Sequence, residues 1–435
     1  MLLDKRMRAK IGFLAKHRRK PSREELDLLL GKRARQQLAE TRFIGITGSA
    51  GKSTCGALLQ HLLGQHFRVA ASLLENTPRV LARRILELSK QDQFAVMEMS
   101  GHMSGVLTTS CDLVQPEMGI VISISNDHYS NFRGVEKTIE EKVTLVRRTA
   151  ATGCVFLNAD DPAVLSMAEA AQARVLTFGC HPMADYRARD VGLDVAGWLQ
   201  FNCIYKDQTV PFRLPLPALH FLPSVLAAIA CAHQTGLSLI SLAQHAERFK
   251  PLPGRCSLHQ LQSGQTVICD TVKAPMSTLS LAFATLDGFQ RSRPRRIILG
   301  NVSDYPGSWG PKMRRLAEEA LGFADQLIFF RPLTKVDPLI ARYGSDRIVA
   351  FERIDEIAAF LREHGTPDDV LLLKSSARNH LEALLLPLIG QPSCSREPCG
   401  LSHSCFNCEY GFARQRQHEF DYYKAYCTGI VRKLT

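Results

Sequence analysis

Residues 47–54, with the sequence T-G-S-A-G-K-S-T, combine the residue types that bind phosphate groups. They directly follow the short apolar run 43–46. A strand that ends in a glycine turn and opens a helix directs several backbone N–H groups and the positive end of the helix dipole at one point. In such a loop Lys52 reaches the β/γ-phosphates and Ser53 supplies the hydroxyl that binds Mg²⁺. The segment predicts a nucleotide site, although a bare G-x-x-G-K-S also occurs at ordinary strand-turn-helix corners.

Polar residues also follow two later apolar runs. Glu98 closes the run 94–97, and the pair Asp127-His128 follows the run 118–122. The carboxyl ends of parallel strands meet at the edge of a sheet where ligands bind. Glu98 and His128 are therefore candidate Mg²⁺ ligands, although a single histidine in a loop is more often an ordinary hydrogen-bonded residue.

Two further features have a simple structural explanation when each is taken alone. Lys142 lies in a helical stretch, where a lysine is nearly always a solvated surface residue. The N-A-D-D segment 158–161 precedes a proline and forms a good turn by itself. Both indicate a function only in combination with the phosphate loop and the strand-end residues.

The elements that must position these residues alternate between apolar strands and helical stretches, which is typical of a parallel sheet. At 435 residues the chain is long enough for two or three domains. We predict an α/β fold, with a parallel sheet that carries the phosphate loop after its first strand, followed by a second α/β series. The predicted strands are 69–71, 94–97, 118–122, 154–157, 175–178, 266–268, 296–300, 326–329 and 369–373. The predicted divisions are a basic arm (1–41), the domain with the phosphate loop (42–252), the C-terminal domain (253–390) and a Cys-rich tail (391–435).

The composition, with 45% hydrophobic and 22% charged residues, is ordinary for a soluble globular protein. No apolar run approaches the roughly 20 residues of a membrane helix. We therefore expect a cytoplasmic protein. Residues 1–42 hold 13 Lys or Arg against five Asp or Glu, so this arm carries +8 of the net charge of +12.

Within the arm, Leu3, Met7, Ile11 and Leu14 recur at helical spacing among basic residues, which predicts a basic amphipathic helix. Ser22 and Glu25 then form a capping box for a second helix. The arm either packs on the body of the protein or docks on an anionic membrane or an acidic partner. It lacks the interleaved aromatic residues of nucleic-acid arms, so no nucleic acid is expected.

The order and spacing of these features resemble the Mur ligase superfamily of ATP-dependent amide ligases. The central motifs are the phosphate loop, Glu98, Asp127-His128, Lys142 and the 158–161 loop. The resemblance extends to A-D-Y-R-A at 184–188, L-P-G-R at 252–255, D-T-V-K-A-P at 270–275 and D-V-L-L-L-K-S-S at 369–376. It covers residues 42–389 and is far more specific than any one motif. The resemblance implies a P-loop-type parallel-sheet ATP-binding domain followed by a smaller, Rossmann-like α/β C-terminal domain.

The resemblance implies that a carboxylic acid takes the γ-phosphoryl group of ATP to give an acyl phosphate, which an amine then attacks to form an amide. It assigns Lys52, Glu98, His128 and Lys142 to catalysis, with Ser53, Glu98 and His128 as Mg²⁺ ligands. In many relatives the lysine equivalent to Lys142 is carbamylated. The implied ATP contacts are Thr47, Gly48, Gly51, Lys52, Ser53, Thr54, Asn158 at the adenine, Arg255, Asp270 and Lys273, while residues 374–376 would hold the amine.

The chain departs from the family pattern in ways that affect its substrates. Ala50, Ser123, Lys273 and Ser375 replace the usual residues of their motifs. Cell-wall members carry a full N-terminal domain for a UDP-sugar, whereas only the basic arm precedes the phosphate loop here. The sequence therefore predicts a non-UDP carboxylic acid and an amino acid or other amine as substrates. The first alternative is a nucleotide-binding regulatory or scaffold protein with a vestigial ligase site, and a nucleic-acid-binding ATPase is a third option.

The tail adds a separate cysteine cluster, formed by Cys394, Cys399, Cys405 and Cys408. Cys405 and Cys408 form a Cys-x-x-Cys pair that suits one metal ion, with His403 as a further ligand and Cys427 as a competitor. A structural Zn²⁺ site, an iron–sulfur cluster and free or redox-active thiols are the three alternatives. The segment 391–417 has few apolar residues, which favours a metal as its stabilising element.

Overall fold

The computed structural model describes residues 2–17, 19–125, 134–303, 305, 308–397, 399–401, 404–408, 412 and 431–433. The predicted Mg²⁺ ligand His128 and its neighbour Asp127 lie outside the described residues. The same holds for His403 and Cys427 of the tail.

The first domain is built on a ten-stranded sheet, in the order β16-β2-β3-β1-β4-β5-β6-β7-β8-β9. Pairing is parallel from β2 to β7 and antiparallel along β7, β8 and β9. The strands of this domain are β1 Arg42–Thr47, β2 Val69–Ser72, β3 Phe94–Glu98, β4 Met118–Val121, β5 Cys154–Asn158, β6 Arg174–Gly179, β7 Tyr186–Leu193, β8 Leu199–Tyr205 and β9 Gln208–Leu214.

Helices cover both faces of the parallel part, and its strands β2 to β5 are buried along their whole length. Such strands must be apolar throughout rather than alternating, which is why they are visible in the sequence. The helices are α1 Leu2–His17, α2 Arg23–Gln36, α3 Lys52–Leu63, α4 Pro78–Leu86, α5 Val106–Val114, α6 Val135–Arg148, α7 Pro162–Leu165, α8 Leu222–His233 and α9 Leu239–Ala246, with 3-10 turns at Ser166–Ala170 and Leu219–Phe221.

The second domain is a six-stranded sheet in the order β10-β11-β15-β12-β13-β14, parallel except for the β10 edge. Its strands are β10 Ser257–Gln260, β11 Thr266–Asp270, β12 Arg295–Leu299, β13 Gln326–Phe330, β14 Ile348–Phe351 and β15 Val370–Lys374. Its helices are α10 Leu279–Phe283, α11 Trp309–Phe323, α12 Asp337–Tyr343, α13 Ile354–His364 and α14 Leu385–Leu388, with 3-10 turns at Met276–Thr278, Ala284–Gly288, Ala377–Asn379 and Leu381–Leu384.

The tail contacts both domains. A 3-10 turn at Cys405–Asn407 packs on the second domain beside Leu381–Leu384. The strand β16, Val431–Lys433, pairs antiparallel with β2 and forms the edge of the first sheet. The tail is therefore integrated into the fold at two places.

The N-terminal arm is helical as predicted, but its two helices differ in packing. Ser22 and Glu25 form the predicted capping box, and α2 packs on α4. On α1, by contrast, the apolar residues Met7 and Ile11 are 58% and 62% exposed. The packed arrangement thus applies to α2, while Met7, Ile11 and Leu14 of α1 are exposed.

The predicted fold class is confirmed, and each predicted strand corresponds to a strand of the structure within one or two residues. Strands β10, β14 and β16 and the exact course of β7 to β9 were not predicted. All but β14 are antiparallel strands with mixed polar and apolar residues, whereas β14 is an apolar run of four residues, which by itself does not distinguish a strand from a helix. Among the described residues, no helix combines the length and apolar character needed to cross a bilayer.

Candidate active site

A cleft of about 260 Å³ lies between the two domains, and residues from both line it. The first domain contributes residues 49–54 of the phosphate loop, Glu98 and the ends of β4 and α8. The second domain contributes Arg255, Asp270, Lys273 and Lys374. Eight of the predicted ATP and Mg²⁺ residues therefore lie in one place: Gly51, Lys52, Ser53, Thr54, Glu98, Arg255, Asp270 and Lys273.

The phosphate loop turns sharply between β1 and α3. Gly51 has a φ of 80°, and a β-carbon at this position would lie 2.1 Å from the hydroxyl of Ser224. Only glycine fits both the backbone conformation and the space. Lys52 begins α3, and its ammonium donates to the carbonyl of Gly48 at 2.6 Å. The loop thus presents a helix N-terminus and a lysine to the cleft, as a phosphate site requires.

Glu98 and Ser53 form the centre of the candidate Mg²⁺ site. The carboxylate is 3% exposed and accepts hydrogen bonds from Ser53 Oγ at 2.7 Å, Leu74 N at 2.9 Å and Asn76 Nδ2 at 2.8 Å. Burial favours its neutral form, but the charge of Lys52 and the hydrogen bonds outweigh burial, so the pKa of Glu98 is lowered. Neighbouring oxygen ligands of an octahedral Mg²⁺ lie about 3 Å apart, so the Ser53 and Glu98 oxygens fit one ion.

The second domain faces this centre with three cationic groups and one acid. Asp270 and Lys374 end the neighbouring strands β11 and β15, and their side chains form a buried ion pair of 2.5 Å. Lys374 also donates to the carbonyl of Lys273 at 2.8 Å. The charge of Lys273 lowers the pKa of Glu98 across the cleft. The buried Arg255 Nε has no hydrogen-bond partner among the described residues.

His220 is a cleft residue that the sequence analysis missed. It lies in the 3-10 turn before α8 and lines the cleft beside Ser224. Burial lowers its pKa to about 4, against a raising contribution from Asp270, so the ring is neutral at pH 7. A single histidine ahead of an apolar helix carries no spacing signal, and only the fold brings it to the cleft.

Several predicted residues lie outside the lining of this cleft. Thr47 is buried and donates to the carbonyl of Met99. The Asn158 amide donates to the carbonyl of Ile122, and its oxygen accepts from Asp160 N, so both polar groups are engaged by the backbone. Its contact with adenine stays a prediction.

Lys142 is 1% exposed on α6, which is unusual for a lysine. Gly101 follows Glu98 by three residues, and a β-carbon built on Gly101 would lie 3.7 Å from the ammonium of Lys142. Lys142 is therefore not the solvated surface residue that a lysine on a helix usually is, and its predicted catalytic role stays a prediction. Carbamylation of Lys142 stays a prediction.

The predicted amine-binding residues are held inside the second domain. Ser375 is fully buried and donates to the side chain of Asn379 at 3.0 Å. Only Lys374 of the segment 374–376 lines the cleft.

The tail cysteines form a second cluster, away from the cleft. Cys394, Cys399, Cys405 and Cys408 line one cavity together with His380 of the second domain. Burial, together with the charges of Glu382 and the neighbouring cysteines, raises the pKa of the Cys405 thiol.

The fold and the cleft define a two-domain α/β protein with a phosphate loop facing a second domain. Comparison with known proteins agrees: the family described as "Mur ligase middle domain" matches residues 46–232. The middle of the chain is therefore similar to the middle domain of Mur ligases, and the relatives that the whole chain resembles are Mur ligases.

Among these relatives, the UDP-N-acetylmuramoyl-tripeptide–D-alanyl-D-alanine ligase of Mycobacterium bovis is 25% identical over 81% of this chain and 73% of the relative. The UDP-N-acetylmuramoyl-L-alanyl-D-glutamate–2,6-diaminopimelate ligase of Chlamydia caviae is 30% identical over 61% of this chain and 60% of the relative.

Solved structures show the same fold. The superposition on MurF from Acinetobacter baumannii has a TM-score of 0.76 at 22% sequence identity. It covers 86% of this chain and 84% of the MurF chain. The superposition on MurF ligase from Thermotoga maritima, solved in complex with ADP, has a TM-score of 0.72 at 21% sequence identity. It covers 85% of this chain and 86% of the MurF chain.

Proposed function

We propose that this chain is an ATP-dependent ligase that joins a carboxylic acid to an amine through an acyl phosphate and releases ADP and phosphate. The observation that carries the proposal is the convergence of the phosphate loop and Glu98 with Arg255, Lys273 and Lys374 of the second domain in one cleft. A site assembled from two domains suits a reaction in which closure excludes water from a reactive phosphate.

The charges of the cleft suit phosphoryl transfer. Lys52 leaves the carbonyl of Gly48 to bind the β/γ-phosphate oxygens, where its charge stabilises the transferred group. Arg255 and Lys273 add positive charge from the opposite wall. The Nε of Arg255 has no hydrogen-bond partner in the described part of the chain and is a donor available to an anion. Asp270 fixes Lys374 beside them, so Asp270 acts through the lysine that it positions.

Ser53 and Glu98 would hold a Mg²⁺ ion, because their oxygens have the spacing and chemistry that this ion requires. When bound, the ion neutralises triphosphate charge. Lys142 would support a second Mg²⁺ ion only if it is carbamylated, because carbamylation converts its positive charge into a negative one.

The acid substrate is a separate question. The relatives are named for UDP-N-acetylmuramoyl acids, so these names make UDP-linked acyl peptides the first class to test. The prediction of a non-UDP acid finds no support in them. Both classes therefore belong in one substrate panel, each offered with a set of amino acids and dipeptides.

The test is a mass-spectrometric screen for amide products with ATP and Mg²⁺, with ADP and phosphate measured in parallel. The proposal requires ATP turnover that depends on both an acid and an amine. Tight ATP binding without turnover on any pair would instead indicate a regulatory protein with a vestigial ligase site.

A further inference from the structure

The tail segment around Cys394–Cys408 is fixed to the second domain by polar contacts. The carboxylate of Glu397 accepts from Arg331 Nη2 and from the backbone N–H of Ile354, both at 2.8 Å. These contacts join the tail to the end of β13 and the start of α13. The cysteines of the tail are thereby brought against residues of the domain that they follow.

Among those residues, His380 has the orientation of a metal ligand. It is 6% exposed, and its Nε2 lies 2.9 Å from the carbonyl of Leu401. A carbonyl only accepts, so Nε2 carries the proton and the lone pair of the neutral ring is on Nδ1. Nδ1 lies 3.6 Å from Cys405 Sγ, close to the spacing of a nitrogen and a sulfur on one tetrahedral zinc ion. A backbone acceptor on the other ring nitrogen is the usual support of a ligating histidine.

Glu382 supplies an unsatisfied negative group at the same place. Its side chain is fully buried, and its Oε1 accepts from Ser404 Oγ at 2.8 Å and Cys405 N at 2.9 Å. Its Oε2 is buried and has no hydrogen-bond partner among the described residues. A buried carboxylate is costly unless it is paired or bound to a metal. Ligand atoms of His380, Glu382 and Cys405 all lie within 4.8 Å of one another.

We propose that His380, Glu382, Cys405 and Cys408 bind one Zn²⁺ ion that joins the tail to the second domain. Cys408 is assigned as the fourth ligand because it is buried, lines the same cavity and completes the Cys-x-x-Cys pair. The cavity of about 20 Å³ has room for one small occupant. The half-buried Cys394 and Cys399 line the cavity without being ligands. This assignment differs from a site made of the four tail cysteines alone and does not depend on ligase activity.

The metal centre has a consequence for the hinge between the domains. Phe406 lies between the two cysteine ligands, and a β-carbon on Gly254 would lie 3.1 Å from its Cε2 atom. Gly254 belongs to the 252–255 segment that links the domains, and its carbonyl accepts from Thr271 N at 3.1 Å. Zinc binding thus holds an aromatic ring against the interdomain hinge.

The first test is metal analysis of the full chain, purified without chelators, combined with X-ray absorption at the zinc edge. The expected result is about one zinc per chain with two sulfur and two nitrogen or oxygen ligands. A shell of four sulfurs would overturn the ligand set, and a chain without metal would overturn the site. This measurement needs no variant.

Paired variants identify the ligands. Cys405→Ser with Cys408→Ser, and separately His380→Gln or Glu382→Gln, should lower zinc content at least tenfold. Cys394→Ser with Cys399→Ser, and the exposed Cys180→Ser, should retain one zinc per chain. Loss of zinc from the Cys394/Cys399 pair together with its retention in Glu382→Gln would contradict the assignment.

Hydrogen exchange tests the link to the hinge independently of catalysis. Removing zinc with a chelator should speed amide exchange in the peptide spanning 252–256. Phe406→Ala should have the same effect while it keeps its zinc. Unchanged exchange at the hinge in the zinc-free protein would refute the link, whatever the metal content.

Discussion

Lys52 carries the most direct test at the scale of a residue. Lys52→Ala should lower ATP turnover by at least about 100-fold, because it removes a preorganised positive charge from the transferred phosphoryl group. Lys90→Ala, at an exposed lysine outside the cleft, is the matched control and should leave turnover unchanged. ATP consumption with both variants on the folded protein is the measurement, and near-normal turnover in Lys52→Ala would remove the phosphate-loop assignment.

Lys142 distinguishes a carbamate from a plain cation. Lys142→Ala should lose most activity and regain part of it when acetate or another small carboxylic acid is added, because the acid replaces the carboxylate of the carbamate. Lys137→Ala, an exposed lysine of the same helix, should behave like the unchanged protein. If turnover is normal in Lys142→Ala, the lysine has only a structural role.

His220 should make stability depend on pH. Its folded pKa is about 4 and its unfolded pKa is about 6.5, so the half-buried neutral ring gives its full contribution to stability above pH 6.5. This contribution is lost as the pH falls from 6.5 towards 4, with about 2 kcal/mol lost between pH 7 and pH 5. Between pH 7 and pH 5, the free energy of unfolding in urea should therefore fall by about 2 kcal/mol less in His220→Gln than in the unchanged protein. His364→Gln, at an exposed site, should show the same fall as the unchanged protein. An unchanged pH dependence in His220→Gln would show that the ring is not buried in its neutral form.

Some residues of this site could be predicted from the sequence and others could not, for physical reasons. Lys52, Ser53 and Glu98 were identified because a strand end and a glycine turn fix their positions locally. His220 was not, because nothing near it in the chain reveals that α8 begins beside the phosphate loop. The buried position of Lys142 was likewise hidden, since a lysine on a helix has no local sign of burial.

At the scale of elements, the ion pair that joins the ends of β11 and β15 should be essential to the second domain. Lys374→Met leaves Asp270 buried without its partner and should lower the free energy of unfolding by about 3 kcal/mol. The double variant with Asp270→Asn should recover much of this loss. Arg148→Met, which breaks an exposed pair with Asp112, should cost below about 1 kcal/mol.

Denaturant unfolding of these variants gives the comparison directly. An equal loss in the single and the double variant would show that the charge left on Asp270 is not the cause. The pair was not predicted, since the sequence gives no sign that the strands ending at 270 and 374 are neighbours. Their pairing follows from the strand order, in which β15 lies between β11 and β12.

At the scale of the whole molecule, the two domains contribute different residues to the cleft, and the tail contacts both domains. The first domain supplies the phosphate loop and Glu98, and the second faces them with Arg255 and Lys273. The predicted division near residue 252 rests on the change of strand series there, and strands β1 to β9 before it and β10 to β15 after it lie in different sheets. The return of the tail to the edge of the first sheet could not be predicted, because three residues of mixed polarity are too short to show a pattern.

Transfer of an oxygen atom from the acid to phosphate tests the ligase mechanism most directly. An acid–amine pair found in the screen is prepared with both carboxylate oxygens as ¹⁸O and incubated with ATP, Mg²⁺ and the protein. An acyl phosphate forms when a carboxylate oxygen attacks the γ-phosphorus, and amine attack then releases that oxygen in phosphate. The prediction is one ¹⁸O atom in each phosphate released, with ADP and amide in equal amounts. Unlabelled phosphate, or AMP and pyrophosphate as products, would contradict it.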